Sequence, residues 1–106
     1  MSQKIPKFFE DFRAAYPDVA AKYNALSEAA KKAGPLDERT AELVKLGIAM
    51  GAGAEGAAHS HARRARAAGA TDQQLEHVAL LAITTLGFPR AMTGLAWVRD
   101  VTKPRA

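Results

Sequence analysis

Nowhere in these 106 residues do β-branched side chains cluster into the alternating run that a half-buried strand requires. Alanine, leucine, lysine and arginine dominate instead, and all favour helix. The chain is therefore confined to helices, and the expected fold class is all-α. Local punctuation divides it into about six of them. Phe8, Phe9, Phe12 and Tyr16 share the face of a first helix that stops at Pro17. A second helix, with Val19, Tyr23, Leu26 and Ala30 inward, ends at Gly34-Pro35. Asp37 is placed to N-cap a third, along which Leu43, Leu46, Gly47 and Met50 form a stripe; its glycines at 47, 51 and 53 imply close helix contact and a loosened end. The fourth runs from about Glu55 to Ala68 and closes at Gly69, and Thr71 with Gln74 makes a capping box for the fifth. The last carries Pro89 in its first turn, with Phe88, Met92, Leu95 and Val98 inward and Trp97 at the side, placed to fill a neighbour's groove.

The fifth helix, DQQLEHVALLAITTLG, is apolar nearly all round from Val78 to Ile83 and needs cover on more than one side. In so short a chain a second subunit is the natural cover, because a domain of this size buries only a small core of its own. Self-association is thus expected.

Composition removes several function classes. There is no cysteine, hence no disulfide, no thiolate nucleophile and no cysteine-ligated metal. The formal charge of +4 is a modest excess, and the basic residues are interleaved with acidic and apolar ones. Without a dense basic face flanked by aromatics, no nucleic-acid partner is expected. The N-terminal MSQKIPKFFEDF lacks an uninterrupted apolar core, so no signal peptide is expected. No stretch approaches the roughly 18 apolar residues of a membrane span. The expectation is a cytoplasmic protein with no membrane partner.

Candidate chemistry gathers on the fourth helix, at AEGAAHSH. At about 100° per residue, Ala54, Ala57, Ala58, His61, Ala65 and Ala68 fall within one arc, making His61 the one polar side chain on the face expected to meet the core. His59, Arg63 and Arg66 fall on the opposite face, with Arg64 at the rim. The two histidines therefore point apart, and a spacing of two is poor for chelating one metal. No metal is therefore expected on this pair within one chain, and His59 repeated across a subunit axis is the arrangement left open. The plain reading of His61 is a core histidine bonded to a carbonyl or carboxylate. That of His59 with its arginines is a solvated face. Glu42 flanks the stripe of the third helix, where an exposed pair with Lys45 would be worth only about 0.3–0.5 kcal/mol.

The segments GPLDERTAELVKLGIAM, HARRARAAGATDQQLEHVALLA and GFPRAM, in that order, resemble the carboxymuconolactone decarboxylase family. That all-helical superfamily also holds the alkyl hydroperoxidase D-like proteins. The resemblance runs from Pro35 to Trp97. It rests on Leu36-Asp37, Glu42-Leu43, His61, Ala65, Gly69-Ala70-Thr71 and Gly87-x-Pro89-x-Ala91. It implies one alkyl hydroperoxidase D-like helical bundle over 1–106, with N-terminal helices in 1–34 and the family core in 35–98. It also implies assembly as a homotrimer, or as a homohexamer built from two trimers.

In the hydroperoxidase branch this helix opens Cys-x-x-Cys-x-x-x-His, and an upstream glutamate completes a proton relay. On this chain the resemblance places the histidine at His61, the glutamate at Glu42 and the cysteines at Ala54 and Ala57. Peroxide reduction by that route needs a thiolate and a resolving thiol, which alanine cannot supply. Cysteine-dependent peroxidase activity is thereby excluded. The decarboxylase branch needs cationic clamps and a general acid or base, and no cofactor. The resemblance then implies Glu42 and His61 as the catalytic pair, and an imidazole suits the task because it changes charge near working pH. Arg39, His59 and Arg64 are the candidates for binding a small anionic ligand, with Arg90 a further clamp. Two readings stay open beside that of an enzyme or ligand-binding protein. One is a non-catalytic oligomeric scaffold or accessory protein, and the other is the inter-subunit histidine metal site.

Overall fold

A computed structural model describes residues 6–104. Six helices account for most of them: α1 (Lys7–Ala15), α2 (Pro17–Lys32), α3 (Glu38–Ala52), α4 (Glu55–Ala67), α5 (Asp72–Leu86) and α6 (Phe88–Thr102). No strand occurs among the described residues, and the fold is all-α. No helix is long and apolar enough to cross a membrane. The chain forms two compact units, divided between Leu36 and Asp37.

The first unit holds α1 and α2. Pro17 disfavours helical backbone at Tyr16, whose φ of −133° ends α1, and then serves as the first residue of α2. The Phe12 ring of α1 and the Tyr16 ring at its end lie 5.6 Å apart, tilted by 41°. The inward face expected for α2 is not found: Val19, Tyr23 and Leu26 are exposed, and Ala20 is the buried residue. Length explains part of this. At 1.5 Å per residue, α1 spans about 14 Å and cannot cover the roughly 24 Å of α2.

The second unit holds α3 to α6. Asp37 caps α3 by accepting from the Thr40 N–H at 2.8 Å. At the other end Gly53 adopts φ 68°, its N–H reaching the Met50 carbonyl at 3.1 Å while the Ala54 N–H reaches that of Ala49 at 2.9 Å. This is a Schellman closure, and it needs a residue without a Cβ penalty in the left-handed region. The chain reverses there within two residues, so α4 returns along α3. The end of α4 repeats the pattern around Gly69. Thr71 and Gln74 exchange backbone-to-side-chain bonds of 3.1 and 3.0 Å, completing the expected capping box of α5.

The core joins Leu46, Ala49 and Met50 of α3 to Ala58, Ala62 and Ala65 of α4, with Leu75, Ala79 and Val98 from the last two helices. Alanine dominates it, so the helices approach closely. Gly94 on α6 takes this to the limit, since a Cβ there would lie 2.7 Å from Met50 Sδ. The centre of α6 is consequently Ala91, Gly94 and Val98, while Met92 and Leu95 are half-buried and Phe88 is exposed. Trp97, expected to seek a neighbour, packs half-buried against its own core. On α5 only Leu75, Ala79 and Ala82 are buried. Leu80 and Leu81 remain 50% and 60% exposed, as do Val44 and Ile48 of α3 at 46% and 66%.

Candidate functional site

Because α4 runs back along α3, side chains from the two helices interlock. Glu42 precedes Leu46 by one turn on the buried face of α3 and is itself buried, its side chain 1% exposed. A carboxyl group there needs a partner, since an unpaired buried charge is costly. The partner is His61, whose Nδ1 lies 2.7 Å from Glu42 Oε1. The His61 ring is 18% exposed, so it bridges the buried carboxyl and the surface.

The chemistry follows from which nitrogen is engaged. Against an ionised Glu42, which only accepts, Nδ1 is the nitrogen that carries the proton and donates it. In the neutral imidazole Nε2 is then left with its lone pair. Nε2 makes no hydrogen bond to another described residue. The pair thus presents a base on the outer side of the ring, with a carboxylate behind it to stabilise the cation that forms on protonation. The same logic orients the histidine of serine hydrolases.

The remaining candidates lie elsewhere. Arg39 is exposed at the start of α3, where it adds slightly to the forces lowering the Asp37 carboxyl; the larger causes are the hydrogen bonds from Thr40. Arg64 is exposed and pairs with no described residue. Neither bonds to His61, although Arg64 stands one turn after it on α4. Arg90 passes over the α3–α4 turn, close enough that a Cβ on Gly53 would meet its Nη1 at 2.5 Å. Ala54 precedes α4 and Ala57 sits exposed one turn before His61, neither with any sulfur to offer.

The opposite face of α4 departs most from expectation. His59 is not solvated but 24% exposed, with Nε2 2.9 Å from Asp100 Oδ2 on α6 and 3.9 Å from Glu55 Oε2 one turn earlier. Arg66 likewise turns inward, donating to the Val101 carbonyl at 3.3 Å and pairing with Asp72 at 3.1 Å. The physical reason is that α4 packs against α6 as well as α3. The buried arc is therefore centred on Ala58, Ala62 and Ala65, with His61 on its α3 side and His59 on its α6 side. Periodicity read for a single neighbour passes over Ala62, Glu55 and Asp100. Glu55, four residues before His59, is the signal that the sequence does carry.

Neither the curated proteins nor the solved structures yielded a match. A family model does match, and it covers residues 17–100, reaching back into α2 beyond the resemblance read from Pro35 onward. That span takes in α3 and α4, with Glu42 and His61 on their facing sides. With four-fifths of its length matched, the chain belongs to the carboxymuconolactone decarboxylase family.

Proposed function

We propose that this protein is a cofactor-free lyase or isomerase acting on a small anionic molecule, with His61 as the proton-transferring group and Glu42 as the residue that orients it. The observation carrying this reading is the 2.7 Å bond from the semi-exposed His61 to the buried Glu42, which leaves Nε2 facing outward. Decarboxylation and double-bond migration both require a proton to be placed on or taken from carbon, and a base held in one tautomer does this without a metal. Thiol chemistry has no part in it, because the sequence holds no cysteine. Cationic help for the substrate must come from flexible side chains near the rim, such as Arg64 one turn from His61.

The test reads proton transfer directly. Small carboxylates and lactones are incubated with the protein in D2O, and deuterium entering carbon is followed by NMR. Exchange catalysed by the wild type, abolished in His61→Ala and much reduced in Glu42→Gln, is the expected result. Exchange that survives in His61→Ala, or its absence across the whole panel, contradicts the proposal.

The second reading, an oligomeric scaffold, draws on the exposed Val44, Ile48, Leu80 and Leu81. Such apolar exposure on two neighbouring helices suits burial in a homotrimer or homohexamer. Assembly is compatible with catalysis. The scaffold reading stands alone only where changes at Glu42 and His61 alter stability or mass and nothing else.

A further inference from the structure

The Glu42–His61 pair leaves His59 without a task, although His59 is held just as deliberately. We propose that Glu55, His59 and Asp100 form a binding site for a divalent transition-metal ion of the zinc type, within a single chain. One ligand atom from each residue lies within 4.8 Å of the other two. Tetrahedral zinc with bonds of about 2.0–2.1 Å would hold its ligand atoms about 3.3 Å apart. The His59–Asp100 separation of 2.9 Å and the His59–Glu55 separation of 3.9 Å bracket that value. The closure still needed falls on Glu55 and Asp100, whose side chains are 59% and 57% exposed and able to rotate. The imidazole, at 24%, is the fixed element.

The donor set argues for the class of ion. Two carboxylates neutralise a dication, and an imidazole nitrogen suits zinc, cobalt or nickel far better than calcium or magnesium, which prefer oxygen alone. Glu55 and His59 stand four apart on α4 and so face the same way, the spacing that the neighbouring His59 and His61 lack. Asp100 comes from the last turn of α6, whose carbonyl end favours a cation. Three protein ligands leave the fourth position to water. The ion would tie the first turn of α4 to the end of α6, on the side of α4 away from Glu42, so this proposal stands or falls independently of the proton-transfer reading.

Zinc and cobalt are the probes. Calorimetry on the full chain should give one zinc ion per chain, not displaced by millimolar magnesium. Cobalt should give visible bands of a low-coordinate site. In NMR spectra the ring signals of His59 should move while those of His77 stay. His59→Gln and Asp100→Asn should each weaken binding by about tenfold or more, the equivalent of about 1.4 kcal/mol. Asp100→Asn changes only an exposed carboxylate and keeps the fold testable should His59→Gln destabilise α4. Affinity unchanged in both variants, loss of binding in His77→Gln, displacement by magnesium, or no binding at all overturns the proposal.

Discussion

Glu42→Gln and His61→Ala, singly and together, measure what the buried pair contributes. The glutamine keeps the shape of Glu42 and an oxygen that can accept from His61 Nδ1, so this change removes charge and little else. Hydrogen bonds to charged groups contribute about 1.5–3 kcal/mol and neutral ones about 0.5–1.5, so Glu42→Gln should cost about 1 kcal/mol. His61→Ala does the reverse: it strips the partner from a carboxyl group that is 1% exposed. Breaking a fully buried pair costs about 3–5 kcal/mol, and because the ring is 18% exposed water can enter the space it leaves, which brings the expected cost down to about 2–3 kcal/mol. An unpartnered amide is cheaper to bury than an unpartnered carboxylate. The double variant should therefore cost less than the sum of the singles by about 1 kcal/mol, well outside the roughly 0.3–0.5 kcal/mol scatter of independent sites. Urea unfolding followed by Trp97 is the assay, since this single tryptophan packs on the core of the same unit. Protein concentration must be held constant, because assembly would shift apparent stability. Strict additivity would refute the reasoning.

Three further outcomes are expected. Gly53→Ala forces a Cβ into left-handed backbone at φ 68° and should destabilise by about 1–2 kcal/mol in the same assay; an unchanged midpoint would contradict the cap argument. The Arg99 guanidinium, bonded to Glu76 at 3.1 Å, holds that carboxyl below its ordinary value of 4.5. A lowered carboxyl contributes stability that is present above 4.5 and is lost as pH falls through its folded value. Arg99→Gln should accordingly lower stability at neutral pH and converge with the wild type in acid, and parallel pH profiles would contradict this. Leu81→Lys places a charge on the exposed face of α5 and should reduce the mass seen by sedimentation; an unchanged mass removes that face from any assembly interface.

Much of the fold is legible in the sequence, because helix ends carry local chemistry. Asp37, Gly53, Gly69, Thr71 with Gln74, and Pro89 each act through their own backbone or side chain, and each ends or starts a helix where expected. Which face a helix buries depends instead on how many neighbours it has. For α4 the periodicity predicts a single arc, and a second neighbour widens it, enclosing Ala62 and drawing His59 and Arg66 inward. For α6 the large residues Phe88 and Met92 stand out in the sequence, whereas the contact is made by Ala91 and Gly94, since small side chains let helices meet. Glu42 and His61 are legible as a pair only through the family pattern. Nineteen positions separate them, and no helical periodicity links residues on different helices. The burial of Glu42 and its meeting with His61 come from the packing of α3 against α4.

The most direct test of the central claim is the tautomer of His61, read from the ring nitrogen shifts of 15N-labelled protein at a pH where the imidazole is neutral. The 2.7 Å bond to Glu42 predicts a proton on Nδ1 and a lone pair on Nε2, with that preference lost in Glu42→Leu. A wild-type His61 carrying its proton on Nε2 would mean that the outward nitrogen is no base, and the proton-transfer account would fall with it.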